Sequence, residues 1–223
     1  IIVGRFVGVD ALAAVGSTGS MVFLVNGFAT GLTSGFAVLV SQKFGAKDEK
    51  GLRKATASAI TLTVISVIVA TIVSLLGAKP LLKLMNTPEN IMGDAYIYVK
   101  IIYGGIIATV AYNFIASILR ALGDSKTPLY FLIVSSVLNI ILDLVFIINF
   151  KMGVAGAAYA TIISQGVSAI LCLIYTYKRF TILRLKKEDF NVKRRYYHKH
   201  LKIGIPMALQ FSITSIGIMT VQG

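Results

Sequence analysis

A single cysteine, Cys172, cannot build a disulfide framework, and its place inside an apolar stretch gives it the character of a small buried side chain. Histidine is nearly as scarce. His198 and His200 both fall outside the apolar stretches, so those stretches hold no HExxH motif and no nucleophile with a histidine base. Charge is thin as well: 14% of residues are Asp, Glu, Lys or Arg against 56% apolar, and the mean hydropathy of +0.81 excludes an ordinary soluble domain, whose surface needs more charge. The same scarcity argues against a membrane-embedded enzyme, and no ring of charges or filter loop suggests a passive channel.

What the chain has instead is length without charge. Apolar stretches run over 21–40, 55–78, 95–119, 129–150 and 154–177, each long enough to cross about 30 Å of hydrocarbon as an α-helix. Ile1 opens inside an apolar segment without an initiator Met, and 203–223 reads as another span that stops without a flanking charge. The expectation is an all-α membrane protein: a lobe over 1–178 holding the end of a first helix and five complete spans, a basic linker over 179–200, and most of a seventh helix over 201–223. No signal peptide is visible.

The net charge of +13 does not point to nucleic acid, because its distribution alternates along the chain. Seventeen of the 22 basic residues lie in the segments around Lys43–Lys54, Arg120–Lys126 and Lys178–Lys202, while the intervening ends carry only Arg5, Lys79, Lys83 and Lys151, with Lys100 a little inside a span. This is the positive-inside pattern, which places the basic loops in the cytoplasm; the expected location is the cell's inner membrane. Lys100 can snorkel to the headgroups, and Tyr96, Tyr98, Tyr130, Tyr175 and Tyr177 suit interfacial anchoring near span ends. His198 and His200 read as solvated linker residues.

Local signals fill in the outline. Gly27, Gly31 and Gly35 recur every four residues, the spacing that lets helix backbones approach closely in lipid, and Asn26, Thr30 and Ser34 lie on the adjoining stripe as candidates for a cavity lining. Asn113 and Gln165 are further candidates for that lining. In RALGDSKTP, Gly123 suits the left-handed residue after a helix, and Thr127 with Pro128 suits the N-cap and first turn of the next. Pro206 is expected in the first turn of the last helix or at a bend.

Asp143 is the one acidic residue of nine that lies within a long apolar run. An ionised carboxylate at membrane depth costs roughly 2.5–3.5 kcal/mol even on lenient scales, so its retention suggests use. Asn139 precedes it by four residues and shares its helix face. A carboxyl group held away from water favours its neutral form, a nearby cation or donor pulls it the other way, and such a group can trade a proton for a cationic partner. Asn139 and Thr161 supply neutral oxygens suited to sodium or to holding the carboxylate.

Six strings, GRFVGVDALAAVG (4–16), SQKFGAKD (41–48), RALGDSKTPL (120–129), NIILDLVFI (139–147), GVAGAAYATIISQ (153–165) and GIPMALQ (204–210), together resemble the multidrug and toxic compound extrusion (MATE) family, in its order and spacing. The resemblance implies one six-helix lobe, with part of helix seven, of a twelve-helix, two-lobe transporter. It implies export of small organic cations or drugs across the bilayer by alternating access in exchange for H⁺ or Na⁺, with no cofactor beyond Na⁺ as a coupling ion, no enzymatic activity, no nucleic-acid partner, and a monomer when full-length. It places Asn139, Asp143 and Thr161 on a proton or cation coupling site, and makes them metal ligands if Na⁺ is the ion. The family's helix-one acid would precede Ile1, and Asp10 does not replace it. A lipid-linked oligosaccharide flippase of the same architecture is the alternative, disfavoured because the spans carry almost no Arg or Lys to meet an anionic lipid.

Overall fold

The computed structural model describes residues 2–222, except for the side chains of 215, 216 and 218–222; Ile1 and Gly223, the outer ends of the first and third expected segments, lie outside the described residues. The described chain is all-helical. A short α1 (Ile2–Phe6) leads into α2 (Val9–Gly45), followed by α3 (Glu49–Leu84), α4 (Glu89–Gly104), α5 (Ile106–Ala121), α6 (Lys126–Leu144), α7 (Gly153–Arg179) and α8 (Arg194–Gln222).

The five expected spans fall within α2, α3, the α4–α5 pair, α6 with its continuation, and α7, long apolar helices as the composition requires. Two of them differ from plain rods. The third span is broken at Gly105, where α4 and α5 meet at 46°. The fourth changes from α-helix to π-helix over Val145–Asn149, with the Phe150 amide donating to the Val145 carbonyl at 3.1 Å.

Apolar side chains meet in two main clusters strung along α2. At the basic end, Leu32, Phe36 and Val40 of α2 pack with Leu52 of α3, Ile118 of α5 and Ala208 of α8. At the opposite end, Ala14 and Met21 pack with Leu82 of α3, Ala95 and Tyr103 of α4 and Ala158 of α7. Much of the remaining apolar surface faces outward, including Val64, Ile68, Ile72 and Leu76 on α3 and Ile133, Val137 and Ile141 on α6, the outward greasiness expected of helices solvated by lipid.

Two glycines of the α2 stripe, Gly31 and Gly35, serve packing. A side chain on Gly31 would meet the Met207 carbonyl oxygen at 2.7 Å, and one on Gly35 would run into the backbone of Gly204, so α2 and α8 cross almost backbone to backbone. α8 begins at Arg194, six residues before the expected linker ends at His200, and Pro206 therefore lies well inside the helix rather than in its first turn. Nor is the linker free: short 3₁₀ turns at Thr181–Leu183 and Lys187–Phe190 fold it against the basic end, where Ile182, Leu183, Tyr196 and Tyr197 join the core and Arg53 Nε sits 3.6 Å from Asp189 Oδ1.

His200 departs furthest from its expected setting. It is fully buried, with Nε2 3.0 Å from the Ala55 carbonyl, which can only accept, and 3.0 Å from Ser58 Oγ, while its ring meets Phe36 edge-on at 5.7 Å between centroids. His198 remains exposed. The reason is periodicity: once the helix starts at Arg194, His200 falls on the face that docks into α2 and α3, and only the other face stays solvated.

Candidate functional site

The α5–α6 turn sets the height of everything on α6. Gly123 takes the left-handed conformation at φ +89°, as its position suggests, and the Asp124 amide donates to Leu119 at 2.9 Å, closing α5. Ser125, not Thr127, stands at the N-cap of α6 and makes no side-chain cap bond; the capping carboxylate is that of Asp124, which accepts from the Thr127 amide at 3.0 Å and the Thr127 hydroxyl at 2.8 Å, and Tyr175 of α7 donates to it at 3.0 Å. One carboxylate thus fixes where α6 starts and how it stands against α7. Burial would push the Asp124 carboxyl up, but these donors hold it below the usual carboxylate range.

From that start, Asn139 and Asp143 emerge one turn apart, Asp143 about 22 Å along the helix from Pro128. α6 packs chiefly on α7. Asn139 Nδ2 reaches Thr161 Oγ1 at 3.5 Å, a long contact, and that hydroxyl donates to the Ala157 carbonyl at 2.9 Å, which leaves its lone pairs for a partner across the seam. Asp143 is half-buried; its Oδ1 is sealed from solvent with no hydrogen-bond partner among the described residues. Asn139 and Thr161 thus meet across the α6–α7 seam, and Asp143 lies one turn further along α6 with a buried carboxylate oxygen that has no partner among the described residues.

The lining candidates separate. Gln165 stands one turn beyond Thr161 on α7, and its Oε1 is also buried without a partner among the described residues, extending the polar strip. Asn113 turns back to its own helix, donating to the Thr109 carbonyl at 3.0 Å. Ser34 lies between helices, 3.4 Å from Ser117 Oγ on α5, which also accepts from Arg120 at 2.9 Å. Asn26 and Thr30 are half-buried on α2.

Tyr98 belongs beside the strip rather than with the interfacial anchors. It packs with Val3, Ala11, Ile147 and Ala157. Its distance from the span end made it look like an anchor; the α4 face carrying it, turned inward with Ala95 and Ile102, was the signal available in the sequence.

The MatE family model matches residues 1–145, from α1 through the residues carrying Asn139 and Asp143. The chain belongs to the MatE family. Relatives of this MatE chain include the probable multidrug resistance protein YpnP of Bacillus subtilis (strain 168), 37% identical over 98% of the chain and 49% of that protein, and the probable multidrug resistance protein NorM of Thermotoga maritima, 26% identical over 94% and 46%. It superposes on the inward-facing conformation of a multidrug resistance MATE family transporter of the MOP superfamily with a TM-score of 0.89, at 29% identity, over 96% of the chain and 49% of that structure. The outward-facing conformation of such a transporter gives a TM-score of 0.89 at 28% identity, over 98% and 48%. The chain spans about half the length of the relatives it matches, as one lobe of a two-lobe MATE transporter would.

Proposed function

We propose that this chain is the amino-terminal lobe of a secondary active exporter in the cell membrane, which moves small organic cations or drugs outward in exchange for inward H⁺ or Na⁺. The observation that carries the reading is the buried Oδ1 of Asp143, without a hydrogen-bond partner among the described residues, one turn along α6 from the Asn139–Thr161 contact. A carboxylate, a carboxamide oxygen and a hydroxyl are hard oxygen donors, a set that suits Na⁺, and the carboxylate alone suffices for a proton.

Coupling follows from differential affinity, since an ion that binds both states equally shifts neither. Protonation or Na⁺ binding at Asp143 gives the carboxyl group a partner it lacks, through a new hydrogen bond or a shared ion with Asn139 and Thr161, and withdraws its negative charge from a cationic substrate, which leaves. The substrate's later return to the site on the basic, cytoplasmic side requires the carboxylate to be free again. The likeness of this half to both an inward-facing and an outward-facing relative supports a lobe that moves largely as a body, so that access alternates around a fixed site.

The test is drug export by cells making the protein with Asp143→Asn. Normal membrane levels with export lost, and partial export for Asp143→Glu, are the expected results. Full resistance of the Asp143→Asn cells would overturn the assignment. Reconstituted vesicles given a pH gradient or a Na⁺ gradient separately then identify the driving ion.

A further inference from the structure

The break between α4 and α5 opens a furrow against α7 that the transport reading does not use. It has a volume of about 560 Å³, and its walls are Ile97, Lys100, Ile101, Gly104, Tyr159 and Ile162. Ile97, Lys100, Ile101 and Gly104 recur at helical spacing, so one face of α4 carries an ammonium group among apolar neighbours. At Gly105 any side chain would collide with Ile162, which fixes the floor of the furrow where α4 gives way to α5.

Lys100 is exposed in this furrow and forms no ion pair among the described residues. It stands eleven residues into α4, about 16 Å along the axis from Glu89, so the acidic residues Glu89 and Asp94 lie a turn or more out of reach. Tyr159 brings a half-exposed phenol to the opposite wall. Beyond them the seam continues as bare hydrocarbon, with Ile107, Ile163 and Ile170 exposed. α8, the element that follows the linker, packs chiefly on α2 and α3 and leaves this face open.

We propose that the furrow is a binding site for one anionic phospholipid, its phosphate held by Lys100 Nζ and the Tyr159 hydroxyl and one acyl chain lying along the seam toward Ile107. An uncompensated cation at this depth favours a headgroup with net negative charge; a zwitterionic headgroup would bring a second ammonium beside the first. The site lies at the end opposite the basic loops, where general attraction to an anionic surface is weakest, so a lipid retained there is retained by the furrow.

The experiment is native mass spectrometry of the purified protein released from bilayers of phosphatidylglycerol and phosphatidylcholine. The unaltered protein should keep one phosphatidylglycerol in preference to phosphatidylcholine. Lys100→Gln should lower that occupancy roughly fivefold, Lys100→Arg should preserve it, and Lys151→Gln, at the same end of the molecule, should leave it unchanged. Gly104→Leu gives an independent reading, because a side chain there meets open space and fills the furrow while the charge stays; it too should lose the lipid. Occupancy as in the unaltered protein for Lys100→Gln or Gly104→Leu would overturn the proposal, as would equal retention of phosphatidylcholine or an equal loss in Lys151→Gln. Should Lys100→Gln fail to fold, the Gly104→Leu result decides.

Discussion

At the residue scale, the carboxylates of this chain divide by what surrounds them. Asp48 and Asp124 are caps, each answered by backbone amides, whereas Asp143 keeps an oxygen with no partner among the described residues. The cap at Asp124 makes a pH-dependent contribution whose sign is fixed. Its carboxyl is held below its unfolded value, so the stabilisation is complete above about pH 4 and is lost as pH falls through the lowered folded value. Asp124→Ala should therefore lower stability by about 1 kcal/mol near pH 7, seen as a lower melting temperature, and the gap to the unaltered protein should close on acidification. A gap that persists at pH 2 would mean that the loss is one of packing. At this scale the sequence disclosed Asp143, because a lone acid in an apolar run is conspicuous, and misplaced His200 and Tyr98, whose setting depends on which face of a helix turns inward.

Elements were legible where hydrophobic length alone decides them. The five spans emerged from apolar runs, but the break at Gly105 did not, since two adjacent glycines inside an apolar run are equally compatible with a straight helix. The π-turn after Asp143 left no mark either; Phe146 and Met152 close over Gly156 there, an approach with no local signature in the sequence. The start of α8 was missed because its first turns are basic and polar, and only docking against α2 and α3 makes them helical. The four-residue glycine repeat, by contrast, announced a close crossing and left only its partner unnamed. Gly35→Ala should force α2 and α8 apart and cost about 1–3 kcal/mol, while Gly45→Ala, with open space around it, should be near neutral. Equal melting temperatures for the two variants would show the crossing to be loose.

On the scale of the whole molecule, the charge pattern makes a claim about direction. The loops carrying Lys47 and Lys187 should face the cytoplasm and the loop carrying Lys151 should face outward. In a Cys172→Ala background, Lys47→Cys and Lys187→Cys should react with a membrane-impermeant maleimide only after cells are opened, and Lys151→Cys should react in intact cells. Labelling of Lys47→Cys in intact cells would invert the topology and with it the proposed direction of export. The lobe's outline was readable because lipid imposes helix length; the cluster geometry within it was not, because contacts between helices far apart in the chain leave no local trace.

The seam between α2 and α8 also bears on where this chain can be divided. Phe36 and the bare backbone at Gly31 and Gly35 are covered by residues that come after the bend at 181–193, with His200 stapling the two sides. A version shortened after Arg179 would uncover that furrow and tend to self-associate through it, whereas a protease nick at 184–186 would leave both pieces clasped together.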